Sequence, residues 1–458
     1  MDRNAIKKYA VWARDELIER VTQRALEYGI TENEIVDVNA DSIDGKLLND
    51  IEKGQRQDLI KQIEIKGFNQ VIEEISYTWF NRFCALRFME VRGYLPTRVR
   101  VFTDKNNNFK PQIISEALHL DMEGLNIDEI CKYKENNDIE GLYKYLLIKQ
   151  CNELSQILPG IFQKDKDYTE LLLPDNLLHE ESIISKMILL ISESDWLDAV
   201  EIIGWLYQYY NTKQNELVYD GSFSKKRIPK ELLSAATTIY TPDWVVHYMV
   251  ENSLGRLWLE GHDRESLKYK WRYYLDDIKQ DESTKEDLKK IKYEYKSIKP
   301  EEISIIDPCM GSGHILAYTF DVLMQIYEDY GYTVREATKS IVKNNLYGLD
   351  IDKRATQIAY FAIMMKAREY DKRFFYRNIQ PNIYEIKESN NIDLDIIDYF
   401  SNNNKKLKEN IEILLENMKD TKEYGCIILI DDKIDFNILY DRIYELENDI
   451  SIYKDIVL

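Results

Sequence analysis

The stretch IIDPCMGSGHIL, residues 305–316, decides the fold of this chain. A short apolar run stops at Asp307, a turn containing Gly311 and Gly313 follows, and an apolar segment resumes at Ile315. This order predicts a β-strand, a tight turn and then a helix. Because glycine has no side chain and tolerates positive φ, a ligand can lie directly against the backbone of the turn.

Strand and helix patterns alternate on the C-terminal side of this stretch. The first strand is predicted at 303–306, and the helix after the turn ends at Gly331. One face of that helix carries Leu316, Phe320, Leu323, Tyr327 and Tyr330. The later elements are a helix at 334–344, a strand in NNLYGLDID (344–352), a buried helix at 353–370, a strand in PNIYEI (381–386), a polar Asn-rich helix, the apolar run CIILID (426–431) and a helix within 433–458. Strands that alternate with helices predict a parallel, doubly wound sheet.

The first half of the chain shows helical periodicity instead. One apolar stripe comprises Ile6, Ala10, Ala13, Leu17 and Val21, and a second comprises Ile72, Ile75, Trp79, Phe83 and Leu86. Gly93 and Pro96 close the second helix, and further amphipathic runs occupy 142–158 and 183–210. These patterns predict a mostly α-helical domain over residues 1–230, with its aromatic side chains in the core.

A domain boundary is predicted around 215–235, where the periodicity is lost and Gly, Ser, Lys and Pro accumulate. Residues 231–458 then form the domain that contains the glycine turn. Its first helix is predicted to start with Thr241 as N-cap, Pro242 at the first helical position and Asp243 near the positive end of the helix dipole. The highly charged segment 262–302 is predicted to be a helical insertion, and no function is assigned to it because charge runs are usually solvated.

Composition excludes several classes of protein. The chain has 458 residues and a formal net charge of −20, from 61 basic and 81 acidic residues. Such an acidic balance predicts that any DNA contact comes from a local basic patch or from a part of the protein outside this chain. Five dispersed cysteines without a CxxC pair, and five dispersed histidines, predict a reduced protein without a metal site. No apolar run approaches the ~20 residues of a membrane span and no signal peptide is visible, so a cytoplasmic protein without membrane contact is predicted.

The chemistry of the turn favours a nucleoside with an amino-acid tail. Ligands of such sheets lie beyond the carboxyl ends of the strands, where Asp307 and Asp350 end the first and second strands. An acid at the second position can accept hydrogen bonds from both ribose hydroxyls, although a helix N-cap is the alternative role for Asp350. A dinucleotide fingerprint would need a third glycine where Leu316 stands. S-adenosyl-L-methionine therefore fits better, with its ammonium near Asp307 and its carboxylate near backbone amides.

Three motifs resemble those of amino-group DNA methyltransferases. DPCMGSG (307–313) resembles their motif I, IYTPDWVVHYMV (239–250) resembles motif X, and LYGLDID (346–352) resembles motif II, in the order of the γ class. Segments 5–30, 76–104 and 348–375 are similar to the adenine-specific methyltransferases of bacterial BREX phage-defence systems, the PglX type. The resemblance implies cofactor contacts at Tyr240, Thr241, Asp307, Pro308, Gly311, Gly313, Asp350 and Ile351.

The resemblance also implies a fold, a reaction and partners. The expected fold is a Rossmann-like S-adenosyl-L-methionine-dependent methyltransferase core with an incomplete parallel sheet, preceded by the mostly helical N-terminal domain. The expected reaction is methylation of adenine N6 in host DNA, and the expected partners are double-stranded DNA and other BREX proteins.

A catalytic motif of this family, [N/D/S]-P-P-[Y/F/W], is missing. In that motif a carbonyl accepts a hydrogen bond from the adenine amino group, and the aromatic ring stacks on the flipped base. None of the nine prolines is adjacent to another, and QPNIY (380–384) has one proline in the wrong order. We therefore expect no catalytic residue in this chain. We expect an N-terminal part of a longer enzyme that holds the cofactor without transferring a methyl group, with DNA bound through the missing C-terminal part.

Two other interpretations remain open. One is a methyltransferase for another amino nitrogen, in protein glutamine or RNA, since those enzymes share the glycine turn and the Pro-Pro loop. The other is a non-catalytic interaction module, in which the helical half binds partner proteins and the second half is a scaffold. A Pro-Pro loop followed by a recognition domain downstream of residue 458 favours DNA, whereas absence of cofactor binding favours the scaffold.

Overall fold

A computed structural model describes residues 1–162, 168–219, 228, 232–390, 392–425, 428–430 and 433–447. These residues form two compact units. The first unit comprises Met1–Leu349 and Lys353–Ile383, and the second comprises Asp350–Asp352 and the chain from Tyr384 onward.

The N-terminal half of the first unit is helical. Its helices are α1 (Arg3–Glu27), α2 (Asp50–Lys66), α3 (Phe68–Arg92), α4 (Gln112–Ser115), α5 (Ile127–Glu135), α6 (Ile139–Leu154), α7 (Tyr168–Leu171), α8 (Ile183–Leu190), α9 (Glu193–Asp198), α10 (Ile202–Tyr210), α11 (Thr212–Tyr219) and α12 (Leu233–Thr237). A short antiparallel hairpin, β1 (Ser42–Ile43) and β2 (Lys46–Leu47), follows α1. Helix α1 packs on α3, α8 and α10, so its apolar stripe is buried.

The remaining part of the first unit contains strands as well as helices. Its elements are α13 (Asp243–Asn252), α14 (Leu254–Gly261), α15 (Glu265–Lys268), α16 (Glu282–Tyr295), β3 (Ile305–Asp307), α17 (His314–Tyr330), α18 (Val334–Ser340), β4 (Leu346–Asp350), α19 (Lys353–Tyr370) and β5 (Asn382–Glu385). Short helical turns lie at Pro300–Glu302, Ile341–Asn345 and Phe374–Arg377. Strands β4 and β5 continue into the second unit at their last residues.

The small sheet that carries the glycine turn has the strand order β3-β4-β5. Strands β3 and β4 are parallel, with Asp307 opposite Gly348. Helix α17 joins them through α18, which is the crossover that parallel pairing requires. The sequence predictions of a parallel strand pair and of strand–turn–helix order at 305–316 are confirmed.

The second unit is small and mostly helical. Its helices are α20 (Leu394–Ser401), α21 (Lys405–Asn417), α22 (Thr421–Tyr424) and α23 (Phe436–Glu447). Its core is a separate cluster of Phe400, Leu407, Ile434, Leu439 and Leu446. The apolar run 426–431 lies partly outside the described residues, and its described part, 428–430, forms no strand.

One hydrophobic core runs through the first unit. It includes the stripes of α1 and α3 as well as residues of α17 and α19. Phe88 of α3, for example, makes an edge-to-face contact with Phe361 of α19, with 5.8 Å between ring centroids. Helices of the first half therefore pack directly against the helix that follows β4. The division of the chain into domains at residue 230 stays a prediction.

Several predicted boundaries need correction. The run 183–210 is divided among α8, α9 and α10, and α9 begins where the Ser192 side chain accepts a hydrogen bond from the Asp195 N–H at 3.3 Å. Helix α11 extends to Tyr219, into a region where loss of helical periodicity was predicted. The charged segment 262–302 is helical in α15 and α16, and α16 has no buried residue, as expected for a solvated insertion.

Candidate functional site

Asp307 is the last residue of β3, and its two carboxylate oxygens differ in hydrogen bonding. Its Oδ1 accepts a hydrogen bond from the Cys309 N–H at 3.1 Å. Its Oδ2 is buried and has no hydrogen-bond partner among the described residues. Burial raises the pKa of the Asp307 carboxyl, and the Cys309 N–H opposes that rise. A buried acceptor of this kind is costly without a donor, so this oxygen is suited to a ligand that brings one.

The two glycines of the turn serve different purposes. Both have positive φ, +54° at Gly311 and +78° at Gly313. A Cβ on Gly313 would lie 3.0 Å from the Cα and Cβ of Ala359, so close packing against α19 explains this glycine. A Cβ on Gly311 would meet no atom within 4 Å. Packing does not explain Gly311, and its open side leaves room for a ligand.

The turn is fixed to the neighbouring strand by backbone hydrogen bonds. The Met310 N–H donates to the Leu349 carbonyl of β4 at 3.0 Å, and the Gly313 N–H donates to the Met310 carbonyl at 2.8 Å. Pro308 and Cys309, by contrast, are exposed. The turn therefore presents its first residues to solvent, while its second half is packed between β4 and α19.

The start of α13 lies against the start of α17. Tyr240 is buried, and its ring stacks on the His314 imidazole with 4.4 Å between centroids. The Tyr240 hydroxyl has no partner among the described residues, and burial raises its pKa. The Thr241 carbonyl accepts a hydrogen bond from Nδ1 of His314 at 3.1 Å. The structure thus brings the segment around Thr241 next to the residue that follows the glycine turn.

The expected role of Thr241 as helix N-cap is wrong. Helix α13 begins at Asp243, Pro242 occupies the capping position with an extended ψ of 141°, and no side chain caps the helix. Because the Pro242 backbone is extended, the helix starts one residue later than predicted. Asp243 lies in the first turn, as expected.

Asp350 and Ile351 lie in the second unit, at and just beyond the end of β4. Oδ1 of Asp350 accepts a hydrogen bond from the Asp352 N–H at 2.8 Å. Helix α19 begins at Lys353, so Asp352 and not Asp350 directly precedes it. The alternative role of Asp350 as the N-cap of this helix is therefore wrong. Asp350 and Ile351 are both half-buried.

Sequence reasoning missed three residues around Tyr240. His314 stands inside the opening stretch, but it offered no recognisable ligand spacing. Gly204 and Trp205 lie in α10, and Trp205 has its ring centroid 4.1 Å from that of Tyr240. A glycine inside an apolar helix often marks a close packing contact, and that signal was available at Gly204.

Among the residues that the structure describes, no group of three or more His, Cys, Asp or Glu side chains could hold a metal ion. Likewise, none of the described helices combines the length and the apolar character needed to cross a bilayer.

Known proteins are similar to this chain over most of its length. An adenine-specific methyltransferase PglX of Lacticaseibacillus casei is 36% identical over 485 aligned residues, which cover 96% of this chain and 39% of the relative. An adenine-specific methyltransferase BrxX of Escherichia coli is 34% identical, over 96% of this chain and 36% of the relative. The chain thus spans less than two fifths of the length of these two relatives.

A third relative is more distant. A putative type II restriction enzyme and methyltransferase of Methanocaldococcus jannaschii is 26% identical over 67% of this chain and 26% of its own length. No family model matches the chain. At 34–36% identity across 96% of its residues, the chain is a homologue of the PglX and BrxX adenine-specific methyltransferases, and the resemblance found in its motifs is confirmed.

Proposed function

We propose that this chain forms the S-adenosyl-L-methionine-binding part of an adenine-N6 DNA methyltransferase of the BREX type. The observation that carries the proposal is the pairing of a buried, unpartnered Asp307 Oδ2 with the open side of Gly311 in the same turn. A cationic amine would donate a hydrogen bond to Asp307 Oδ2, and a bulky nucleoside needs the open space beside Gly311. The names of the two similar methyltransferases supply the reaction type.

The residues present fit this cofactor. Asp307 would accept from the ammonium group, and backbone amides near Thr241 and the glycine turn would hold the carboxylate. For Asp350 and Ile351 the roles are those that the family resemblance implies, toward the ribose hydroxyls and the base. Pro308 and Gly311 would form the wall against which the nucleoside lies. When bound, the cofactor supplies an electrophilic methyl group on a sulfonium. The β3–α17–β4 arrangement would then be the first half of a Rossmann-like methyltransferase core.

We propose further that the chain alone transfers no methyl group. It contains no pair of adjacent prolines, so the loop that would hold the target adenine in this family is absent from its sequence. The formal charge of −20 gives no general attraction to DNA. Contact with double-stranded DNA and with other BREX proteins is proposed for the longer enzyme, acting in the cytoplasm on host DNA.

Calorimetric titration with S-adenosyl-L-methionine and with its demethylated product tests the proposal. We expect saturable binding to the chain, and Asp307→Asn is expected to weaken it about tenfold, since one charged hydrogen bond is lost. Asp41 forms an ion pair with Lys53, far in sequence from the glycine turn. Asp41→Asn removes the same charge as Asp307→Asn and therefore serves as the control. Absence of heat with both ligands would contradict the proposal and favour the interaction module.

A second readout uses the exposed Cys309 thiol. Bound cofactor should slow its alkylation, because Cys309 lies two residues before Gly311 in the same turn. Mass spectrometry of the tryptic peptides separates Cys309 from the other cysteines. Equal alkylation of Cys309 with and without saturating cofactor would argue that the ligand binds elsewhere.

A further inference from the structure

We propose that His314 and Gly204 are positioning residues of the cofactor site, which hold the segment Tyr240–Asp243 against the glycine turn. The inference rests on the proposed function, because it assigns these residues to the same site. It also gives the N-terminal helical half a role, since Gly204 belongs to α10. Neither residue is proposed to contact the cofactor.

His314 joins the two segments through a single side chain. It directly follows Gly313 and is the first residue of α17. Its Nδ1–H donates to the Thr241 carbonyl at 3.1 Å, and its ring stacks on Tyr240 with an angle of 17° between the planes. Its Nε2 lies 3.4 Å from Oδ1 of Asp243. The imidazole thus contacts three residues of the segment that precedes and opens α13.

Gly204 lets the backbone of α10 touch both segments at once. A Cβ at this position would lie 2.6 Å from Cε2 of Tyr240 and 2.8 Å from Oγ of Ser312. Real Cβ atoms do not approach ring carbons so closely, so any larger residue would displace Tyr240, Ser312 or the helix itself. The same helix position therefore supports Tyr240 and the turn residue between the two glycines.

Further contacts from the N-terminal half complete this support. The Trp205 ring lies beside Tyr240, and the Arg3 guanidinium lies over Trp205, 4.1 Å from the ring centroid. Arg3 also approaches Oδ2 of Asp243, at 3.4 Å. Because the Tyr240 hydroxyl has no hydrogen-bond partner among the described residues, packing and stacking alone fix its ring. Loss of the packing surface should therefore release Tyr240.

The test uses three variants and one matched control. Gly204→Ala introduces the clash, His314→Phe keeps a ring but removes the donor to Thr241, and His314→Asn keeps a donor at nearly the same distance from the backbone. Gly255→Ala is the control, because Gly255 of α14 is also a helical glycine against an aromatic ring: a Cβ on it would lie 2.9 Å from Cζ3 of Trp271. Thermal unfolding first establishes that all four variants fold.

Hydrogen–deuterium exchange without cofactor measures positioning directly. We expect Gly204→Ala and His314→Phe to accelerate exchange in peptides covering 240–246 and 308–313, and Gly255→Ala to leave both peptides unchanged. In the first peptide the Val245 and Val246 N–H groups donate to the Pro242 carbonyl, so they report on the position of this segment. His314→Asn should restore slow exchange at 240–246 in part. Unchanged exchange in both peptides for Gly204→Ala and His314→Phe would overturn the proposal, whether or not the chain binds cofactor.

Cofactor titration of the same proteins then tests the link to function. We expect Kd to rise roughly five- to tenfold in Gly204→Ala and His314→Phe, the scale of one buried hydrogen bond. The Kd of His314→Asn should lie closer to that of wild type than the Kd of His314→Phe does, and the Kd of Gly255→Ala should equal that of wild type. A wild-type chain that binds nothing contradicts the proposed function alone. Wild-type binding with an unaltered Kd in both variants contradicts the positioning role alone.

Discussion

At the scale of single residues, the Asp307 carboxyl is held away from water at the end of β3, and this sets a pH dependence. Its pKa is raised from the usual 3.8 by burial. In the proposed site the ionised form would attract the cofactor ammonium, so we expect affinity to fall as the pH drops through the raised pKa. Asp307→Asn should bind more weakly and lose this dependence. Titrations at several pH values from neutral pH downward would measure it.

The same shift affects stability in the opposite direction. A folded-state pKa above the unfolded value means that the folded chain keeps the proton to higher pH. The contribution of Asp307 to the free energy of unfolding is therefore largest at low pH and declines as the pH rises through the folded-state pKa. Comparison of wild type with Asp307→Asn by denaturant unfolding isolates this contribution. A gain in the stability of wild type relative to Asp307→Asn as the pH rises would contradict the assigned direction.

The glycine pair offers a second test at residue scale. Both positions have positive φ, so alanine at either costs about 1 kcal/mol of backbone strain. Gly313→Ala should lose a further ~1–3 kcal/mol, because its Cβ meets Ala359 at 3.0 Å. Gly311→Val should be less stable than Gly311→Ala, because β-branched residues tolerate positive φ poorly, and it should bind cofactor poorly, because its side chain fills the open side of the turn. Normal binding by Gly311→Val would contradict the placement of the ligand.

At the scale of secondary-structure elements, a buried ion pair within α3 is hydrogen-bonded through Glu90 to the loop that follows the helix. Arg87 and Glu90 are both fully buried, and Glu90 also accepts hydrogen bonds from the Phe102 N–H at 2.6 Å and the Thr103 hydroxyl at 3.0 Å. Glu90→Ala would leave the Arg87 charge buried without its carboxylate. We expect a loss of about 3–5 kcal/mol in the free energy of unfolding.

The control for that prediction lies in the same helix. Glu74 forms an ion pair with Lys66 at 2.7 Å, and both side chains are about one third exposed. Because solvent screens such a pair, Glu74→Ala should cost no more than ~1 kcal/mol. Urea unfolding of both variants measures the contrast, and equal losses would show that the buried pair does not stabilise the fold.

Elements with a regular pattern were predictable from sequence. The apolar stripes of α1 and α3 are buried as expected, and Gly93 and Gly331 end α3 and α17 in the left-handed conformation. Asp307, Gly311 and Gly313 could be placed at a strand end and in a turn because these positions depend on neighbours in the sequence; their role toward a cofactor stays a proposal. The start of α13 was misplaced by one residue because Pro242 suits both the capping and the first helical position.

The contacts around Tyr240 were not predictable in this way. His314 and Thr241 are 73 residues apart, and Gly204 lies in a different helix from both. A single sequence contains no signal for which apolar helix will lie against which turn. Only the packed structure shows that α10, the segment before α13 and the glycine turn meet at one place.

At the scale of the whole molecule, the free edge of β3 is the feature with the clearest effect on solution behaviour. Among the described residues, β3 pairs only with β4, and its Ile306 side chain is 60% exposed. An unpaired edge beside an exposed apolar side chain favours strand addition by another chain. We expect the purified chain to self-associate as its concentration rises, and Ile306→Lys to reduce this.

Analytical ultracentrifugation over a range of concentrations measures the effect. Because Ile306 is largely exposed, the substitution should change the free energy of unfolding by no more than ~0.5 kcal/mol. Leu429→Lys is a matched control, since Leu429 is 85% exposed and lies outside every described strand. A chain that stays monomeric at all concentrations, or equal effects of the two substitutions, would contradict the role of the β3 edge.

The tight packing at Gly204 limits which homologous chains can be combined into a chimera. The backbone of α10 meets Tyr240 and Ser312 without room for a methyl group. Consider a chimera that takes its first 210 residues from one homologue and the rest from another. Its first part must have glycine at position 204 if its second part has tyrosine and serine at positions 240 and 312. Any donor with a larger residue at this position should give a folded hybrid with a misaligned turn, unless the opposing side chains are exchanged with it.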